Sequence, residues 1–346
     1  MFTLPIHRFL VMIEETSVKK KLRVLVLGNF GYAHNDLCGQ TVKTRNIYEL
    51  LKSKEVENFS KVEFFDTATF KEDKVALFKM FGILIKADVL FYLPATKNLT
   101  YIFPFIFILS KLFSVKIHFV VVGGWLVEYL KNRPIYRFMF SKMEQIYPET
   151  DALGNSLKNE YGFKKVKRLN NFRDLPFSPI PKPADNNVNL VFMARVHPLK
   201  GVETLFKLSQ KLNKLNIENV TIDIYGPVYE GYHEHFNTLL KSASKNIMYR
   251  GVLQPDEVYK ILSKYDIMLF PTQYYTEGFP GSILDAYISG VPVIASNWKY
   301  ATEFIDHTSG AVTAFNDEDA FLNKIIELIN KPALIDTLKQ GALTKS

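Results

Sequence analysis

Phe270-Pro271-Thr272-Gln273-Tyr274-Tyr275-Thr276-Glu277-Gly278-Phe279-Pro280-Gly281-Ser282-Ile283-Leu284-Asp285-Ala286-Tyr287-Ile288-Ser289-Gly290-Val291-Pro292-Val293-Ile294-Ala295 sets two carboxylates, Glu277 and Asp285, around a glycine-containing stretch. An apolar run ending at Pro271 predicts a strand, Gly278 to Gly281 a turn, and Ser282 the N-cap of a helix. Such a loop lies at a strand's carboxyl end, where open α/β sheets bind ligands. Glu277 then precedes the helix and Asp285 falls in its first turn. Unpaired N–H groups of Gly278, Phe279, Gly281 and Ser282, with Pro280 bending the chain between them, are placed to hold hydroxyls or an anion. Ser282-Ile283-Leu284-Asp285 is equally a capping box of the S-x-x-D kind, which would give Asp285 a structural role.

Upstream, Asn189 to Ala194 reads as a buried strand running into Arg195-Val196-His197-Pro198-Leu199-Lys200-Gly201. A helical pattern with Leu205, Phe206, Leu208, Leu212 and Leu215 follows. Two cations thus flank a strand-to-helix turn. Lysine at a helix start opposes the helix dipole, so Lys200 is better explained by an anion, and the guanidinium fork of Arg195 matches phosphate oxygens. This is the pattern of a diphosphate site. His197 reads as a loop residue rather than a base, because Pro198 fixes the turn beside it.

Together, E-G-F-P-x-S-x-x-(E/D)-A followed by G-V-P-V-I-A, and R-x-x-x-x-K-G before it, resemble retaining nucleotide-sugar glycosyltransferases of family 4, including members from surface-polysaccharide synthesis. The resemblance covers roughly residues 22 to 330 and is carried mainly by the second half. It implies an α/β chain with the GT-B fold, two Rossmann-like domains facing each other across a cleft. It also implies that Arg195 and Lys200 hold the donor's diphosphate, that Glu277 and the Gly278 to Gly281 backbone hold the sugar, and that Asp285 accepts from the ribose hydroxyls. Catalysis would rest on Arg195, Lys200 and Glu277, by front-face attack of the acceptor and without a protein-held metal or other cofactor. The family usually has glutamate where this chain has Asp285.

Composition is consistent with that class. A chain of 346 residues predicts two domains, and 47% apolar residues suit a packed globular protein. The single Cys38 excludes an intramolecular disulfide framework and a multi-cysteine metal site. No H-E-x-x-H or similar ligand set occurs among the seven histidines.

Strand-helix alternation organises the first half, with strands expected at Leu22–Leu27, Val62–Asp66, Val89–Leu93 and Ile117–Val122. It resumes after residue 188. Between the halves, Asp174 to Asn187 carries four prolines and no periodicity. The expected organisation is an appended segment over 1–21, an acceptor-binding domain over 22–173, a linker over 174–187 and a donor-binding domain over 188–346. Family resemblance also implies a chain that continues beyond Ser346.

Gly39-Gln40-Thr41-Val42-Lys43-Thr44 follows the first strand's glycine-containing loop and resembles the family loop that faces donor sugar and acceptor, so Gly39 and Gln40 are candidate acceptor-side residues. No G-x-G-x-x-G fingerprint is present, which disfavours dinucleotide chemistry. Gly123 and Gly124 stand where many family members have a histidine, and His118 reads as structural. Thr221 to Gly226 closes another strand, and Gly226 sits where the family flanks the nucleotide; a tight turn explains that glycine equally well.

Charge is uneven: residues 1 to 180 hold 27 Lys and Arg against 17 Asp and Glu, whereas residues 181 to 346 hold 16 against 18. Lys19-Lys20-Lys21-Arg23, Lys164-Lys165-Lys167-Arg168 and the apolar stretch Phe103 to Phe113 predict peripheral attachment to an anionic membrane on the cytoplasmic face. That stretch is too short to span a bilayer and reads as a buried or interfacial helix. No nucleic-acid motif accompanies the charge. The expected partners are a nucleotide-sugar donor and a glycan or lipid-linked acceptor. The alternatives are a nucleotide-sugar-binding protein without turnover and another GT-B enzyme such as a nucleotide-sugar epimerase.

Overall fold

The computed structural model describes residues 21–32, 38–73, 75–173, 177–179 and 186–345. It comprises two compact units, one through residue 174 and one from residue 175 onward. The expected appended segment, apart from Lys21, and most of the Pro-rich linker lie outside the described residues.

The first unit runs β1 (Leu22–Gly28), α1 (Gly39–Ser53), α2 (Glu55–Asn58), β2 (Phe59–Asp66), α3 (Ala76–Leu84), β3 (Val89–Leu93), α4 (Thr96–Tyr101), α5 (Phe103–Leu112), β4 (Lys116–Val120), α6 (Leu126–Leu130), α7 (Pro134–Ser141), β5 (Gln145–Tyr147) and α8 (Asp151–Tyr161). Its five strands are all parallel in the order β2-β1-β3-β4-β5. Parallel strands are covered on both faces, which is why β3 is Val-Leu-Phe-Tyr-Leu and wholly buried. Val24, Val26, Ile47, Leu51, Val89 and Phe91 pack the sheet against helix α1. The strand expected over Ile117–Val122 ends two residues earlier, at Val120, ahead of Gly123 at φ 86°. His118 lies inside it, its Nδ1 3.1 Å from the Tyr147 hydroxyl, and burial pushes its pKa down to about 4.

The second unit runs β6 (Val188–Met193), α9 (Val202–Lys214), β7 (Val220–Tyr225), α10 (His233–Lys241), β8 (Ile247–Tyr249), α11 (Val258–Leu262), β9 (Ile267–Phe270), α12 (Gly281–Ile288), β10 (Val293–Ser296), β11 (Gly310–Thr313), α13 (Glu318–Ile329) and α14 (Pro332–Lys345). Its six strands are again all parallel, ordered β11-β10-β9-β6-β7-β8. The chain winds outward from β6 through β7 to β8, then returns to β9 on the other side of β6 and winds outward again. The strand order therefore reverses between β6 and β9, the position at which open α/β sheets bind ligands.

Helix α9 buries Leu205, Phe206, Leu208 and Leu212 against Leu190, Ile222 and Ile267. Leu215, expected on that same face, lies beyond the helix and is exposed, because the helix ends at Lys214 and Asn216 turns left-handed at φ 54°.

Candidate functional site

The order reversal in the second sheet brings together the two loops that the sequence singled out. After β6, Val196 bonds to the Pro227 carbonyl and His197 caps a short 3-10 turn over Pro198–Lys200, its Nδ1 accepting from the Leu199 N–H at 3.1 Å. Gly201 follows at φ 72°, where a Cβ would lie 1.9 Å from the Pro271 carbonyl oxygen. Only glycine permits that approach, and through it the loop after β6 rests on the end of β9. The contact is fastened by the Gln273 N–H donating to the Leu199 carbonyl at 2.9 Å. The Thr272 hydroxyl reaches the same oxygen at 3.4 Å.

Lys200 and Glu277, 77 residues apart, form an ion pair across this junction, with side chains 25% and 13% exposed. The same Glu277 oxygen accepts from the Thr272 hydroxyl at 3.3 Å. The Lys200 ammonium also lies 5.8 Å from the Phe270 ring centroid and 6.0 Å from that of Tyr274. Arg195 is exposed at the carboxyl end of β6. Partial burial and the charges of Arg195 and Lys200 hold the His197 pKa below its usual value, so imidazole near neutral pH is uncharged. Its ring packs on Tyr229, centroids 4.7 Å apart, consistent with a loop role.

The loop after Glu277 differs from its expected form in three respects. The turn falls at Tyr275-Thr276, ahead of Gly278 to Gly281, with the Glu277 N–H bonded to the Tyr274 carbonyl at 3.3 Å. The N-cap of α12 is Pro280 rather than Ser282, and no side chain caps the helix. Asp285 then occupies the helix's fifth position, two residues deeper than expected, and is buried. A capping box needs its hydroxyl residue at the N-cap, so Ser282, already inside the helix, removes that account of Asp285. What fixes the loop is packing: Phe279 stacks on Phe304 with centroids 4.1 Å apart, and the Trp298 indole N–H donates to the Gly278 carbonyl at 3.3 Å.

Gly226 ends β7 at φ 135°, where a Cβ would lie 1.9 Å from the Ala194 carbonyl oxygen. This glycine is required by the backbone approach that seats the start of the Arg195 loop. A cavity of about 290 Å³ opens at the junction, among Leu199, Thr272, Gln273, Ser296, Asn316 and Glu318. Neither Lys200 nor Glu277 lines it, though Thr272, which bonds to Glu277, does.

In the first unit the order reverses between β1 and β3. Gln40 donates from Nε2 to the Leu93 carbonyl at 3.3 Å and is thereby turned toward the end of β3. Gly39 opens α1 with nothing within 4 Å of where a Cβ would sit, so neither space nor dihedral demands glycine there. The sequence reading missed a fully buried ion pair at this edge. Lys43 Nζ lies 2.6 Å from Glu149 Oε1 and donates to the Val121 carbonyl at 3.3 Å, while Glu149 Oε2 accepts from the Gly123 N–H at 3.0 Å. Burial lowers the Lys43 pKa and the Glu149 charge opposes that shift. The pair ties the start of α1 to the Gly123-Gly124 turn. Lys43 belongs to the quoted Gly39 to Thr44 string, but nothing local marks Glu149 as its partner.

Two units, each a parallel sheet with helices on its faces, give the chain the GT-B fold. Residues 187–331, most of the second unit, match the family model "Glycosyl transferases group 1". The chain is 24% identical over 159 residues to the alpha-galactosylglucosyldiacylglycerol synthase of Streptococcus pneumoniae, covering 46% of this chain and 41% of that protein. An uncharacterized glycosyltransferase of Methanocaldococcus jannaschii is 24% identical over 218 residues, covering 59% and 54%. The chain thus spans about half the length of the curated relatives it matches. Among solved structures, Anabaena HepE in complex with UDP-glucose superposes with a TM-score of 0.69 at 14% identity, over 93% of this chain and 94% of that one. Sucrose-phosphate synthase from Thermosynechococcus elongatus does so at 0.68 and 13% identity, over 94% of each.

Proposed function

We propose that this protein transfers a sugar, with retention at the anomeric carbon, from a nucleoside diphosphate donor to a glycan or lipid-linked acceptor in surface-polysaccharide or glycolipid synthesis. The observation that carries the reading is the meeting of Lys200 and Glu277 where the strand order reverses, inside the matched domain. HepE, bound to UDP-glucose, and the pneumococcal glycolipid synthase support the donor and acceptor classes.

In this reading Arg195 and Lys200 bind the diphosphate and stabilise the charge that develops as the glycosidic bond breaks. Preorganised charges aimed at a developing anion are the largest single source of such catalysis. Lys200 exchanges its partner Glu277 for phosphate oxygens, and Glu277, steadied by Thr272, accepts from a sugar hydroxyl. N–H groups from Gly278 to Ser282, at an α12 start that no side chain caps, supply donors to the sugar or phosphate. Asp285 accepts from the ribose, and a donor phosphate oxygen takes the acceptor's proton. This chemistry asks no protein-held metal of the chain.

A thermal-shift screen of nucleoside diphosphates tests the donor assignment. A ligand at about 100 times its dissociation constant stabilises the folded state by roughly 2.7 kcal/mol. The reading expects one base to raise the melting temperature and Asp285→Asn to cut the rise to about half; no shift with any nucleotide would overturn it.

A further inference from the structure

We infer that the outer face of α4, α5 and α7 docks this protein on an anionic lipid bilayer, with Phe105, Ile108, Leu112 and Phe138 entering the interface. The inference rests on the reading of the acceptor as lipid-linked and adds the surface that would bring the enzyme to it.

Helix α7 is fastened to the α4–α5 segment at two points. The Tyr136 hydroxyl donates to the Thr100 carbonyl at 2.6 Å, and Lys111 Nζ donates to the Lys142 carbonyl at 3.0 Å. Between these bonds the Phe103 ring packs on Phe140, centroids 5.7 Å apart. The buried side chains are Phe103, Ile106 and Ser110 on α5, with Met139 and Phe140 on α7.

That arrangement turns the other face of each helix outward. Phe105, Ile108 and Leu112, spaced three and four apart, share one side of α5, and Ile135 and Phe138 share one side of α7. Tyr101 is 73% exposed, Leu112 72% and Ile135 71%, with Phe105, Ile108 and Phe138 each more than half exposed. An apolar surface of this extent marks an interaction site.

Charge selects the occupant. Residues 96–116 carry Lys97, Lys111 and Lys116, residues 129–143 carry Lys131, Arg133, Arg137 and Lys142, and neither segment contains Asp or Glu. A second copy of the chain would set cation against cation in a two-fold contact. An anionic bilayer instead offers acyl chains to the apolar side chains and headgroups to the amines. Lys111 and Lys142 suit that division, their ammonium groups 5.4 and 5.5 Å from the Phe107 and Phe138 ring centroids. Such placement lets apolar rings sink while amines stay at headgroup level. Helix α5, ten residues long, lies along the interface, since crossing needs about twenty residues.

The Lys164 to Arg168 run, to which the sequence pointed alongside the Phe103 to Phe113 stretch, lacks these features. There Lys165 pairs with Glu144 at 3.2 Å and Arg168 with Asp151, while Phe163 and Val166 are buried, so partly neutralised cations stand without apolar anchors.

The test is sedimentation of the full chain with vesicles of phosphatidylcholine alone and of phosphatidylcholine mixed with phosphatidylglycerol. Wild type is expected to bind the anionic vesicles selectively. Phe105→Glu/Ile108→Glu should weaken that partition by about tenfold or more, with melting temperature and donor hydrolysis unchanged. Lys165→Glu/Lys167→Glu should change it by less than about threefold. Should the double glutamate variant lose stability, Phe105→Trp decides: its added fluorescence must shift to the blue on anionic vesicles and be quenched by brominated acyl chains. Undiminished binding by Phe105→Glu/Ile108→Glu, an unquenched signal from the Phe105→Trp variant, the larger loss in the Lys165/Lys167 variant, or a dimer that the glutamates dissociate would each overturn the inference. Vesicle binding without any donor hydrolysis would sink the proposed activity and leave the docking face standing. Hydrolysis without vesicle binding would do the reverse.

Discussion

Both units place a cation and a carboxylate from distant parts of the chain at the carboxyl edge of a parallel sheet, but they do so in opposite environments. In the second unit Lys200 and Glu277 remain partly open to solvent, on loops held by close backbone approaches. In the first, Lys43 and Glu149 are 2% exposed, and their bonds to each other, to Val121 and to Gly123 run inward. An accessible pair can exchange its partner for a ligand at low desolvation cost. A buried pair cannot, and its worth lies in fixing the loops around it. On the proposed reading, the contrast assigns ligand chemistry to one edge and geometry to the other.

The sharpest way to break that contrast is to remove one partner of the buried pair. Glu149→Leu leaves an uncompensated ammonium and should cost about 3 to 5 kcal/mol in denaturant unfolding, whereas Lys43→Met/Glu149→Leu should recover most of the loss. If the single variant is as stable as wild type, the first unit's pair is not structural. Truncating Glu277, by contrast, should leave unfolding nearly unchanged.

The same unit carries a pH signature centred on a buried histidine. His118 is buried with its pKa lowered from 6.5 to about 4, so the unfolded chain binds its proton more readily than the folded one. Stability from this group is therefore complete above about pH 6.5 and is lost as pH falls toward 4, a change of roughly 3 kcal/mol. In His118→Phe the stability difference between pH 7 and pH 4.5 should shrink correspondingly. An identical pH dependence in wild type and variant would show that the ring is not held neutral.

Within the second unit, Glu277 and Asp285 should separate. Asp285→Asn is expected to weaken free nucleoside diphosphate binding by about tenfold, the scale of one hydrogen bond to a charged acceptor. Glu277→Gln should leave that affinity nearly intact and lower turnover instead. Asp285→Glu, which restores the family's residue, should retain activity. Calorimetry with the diphosphate alone distinguishes these roles, and equal losses of affinity in both Asn and Gln variants would merge them. The smallest expected effect is that of a chelator: EDTA should leave turnover unchanged, and its loss with recovery on adding a divalent cation would contradict a metal-independent site.

The two edges also differed in how far the chain announced them. Arg195 to Gly201 and Glu277 to Asp285 are short local strings, and strand-end loops carry their chemistry within a few residues, so these segments were legible. The α12 start was misjudged because Pro280 can serve as an N-cap through its extended backbone alone, which displaced Ser282 into the helix. Lys43 and Glu149 are 106 residues apart, and no periodicity links them. Three-residue strands such as β5 are too short to show a pattern, whereas β3, buried on both faces, was read to the residue. The apolar run at Phe103 to Phe113 predicted a helix, but only its neighbour α7 shows which side faces outward.

The central claim is that Lys200 serves a departing diphosphate at the second unit's reversal point. Its most direct test is release of free nucleoside diphosphate from a saturating nucleotide sugar by wild type and Lys200→Ala, with melting temperatures measured in parallel. Losing one preorganised charge at a developing anion typically costs about 2.7 to 4 kcal/mol, so the account predicts slow release by wild type, release slower by about a hundredfold or more in the variant, and matching stability. Equal rates in the two proteins, or no release by wild type from any nucleotide sugar that it binds, would contradict it.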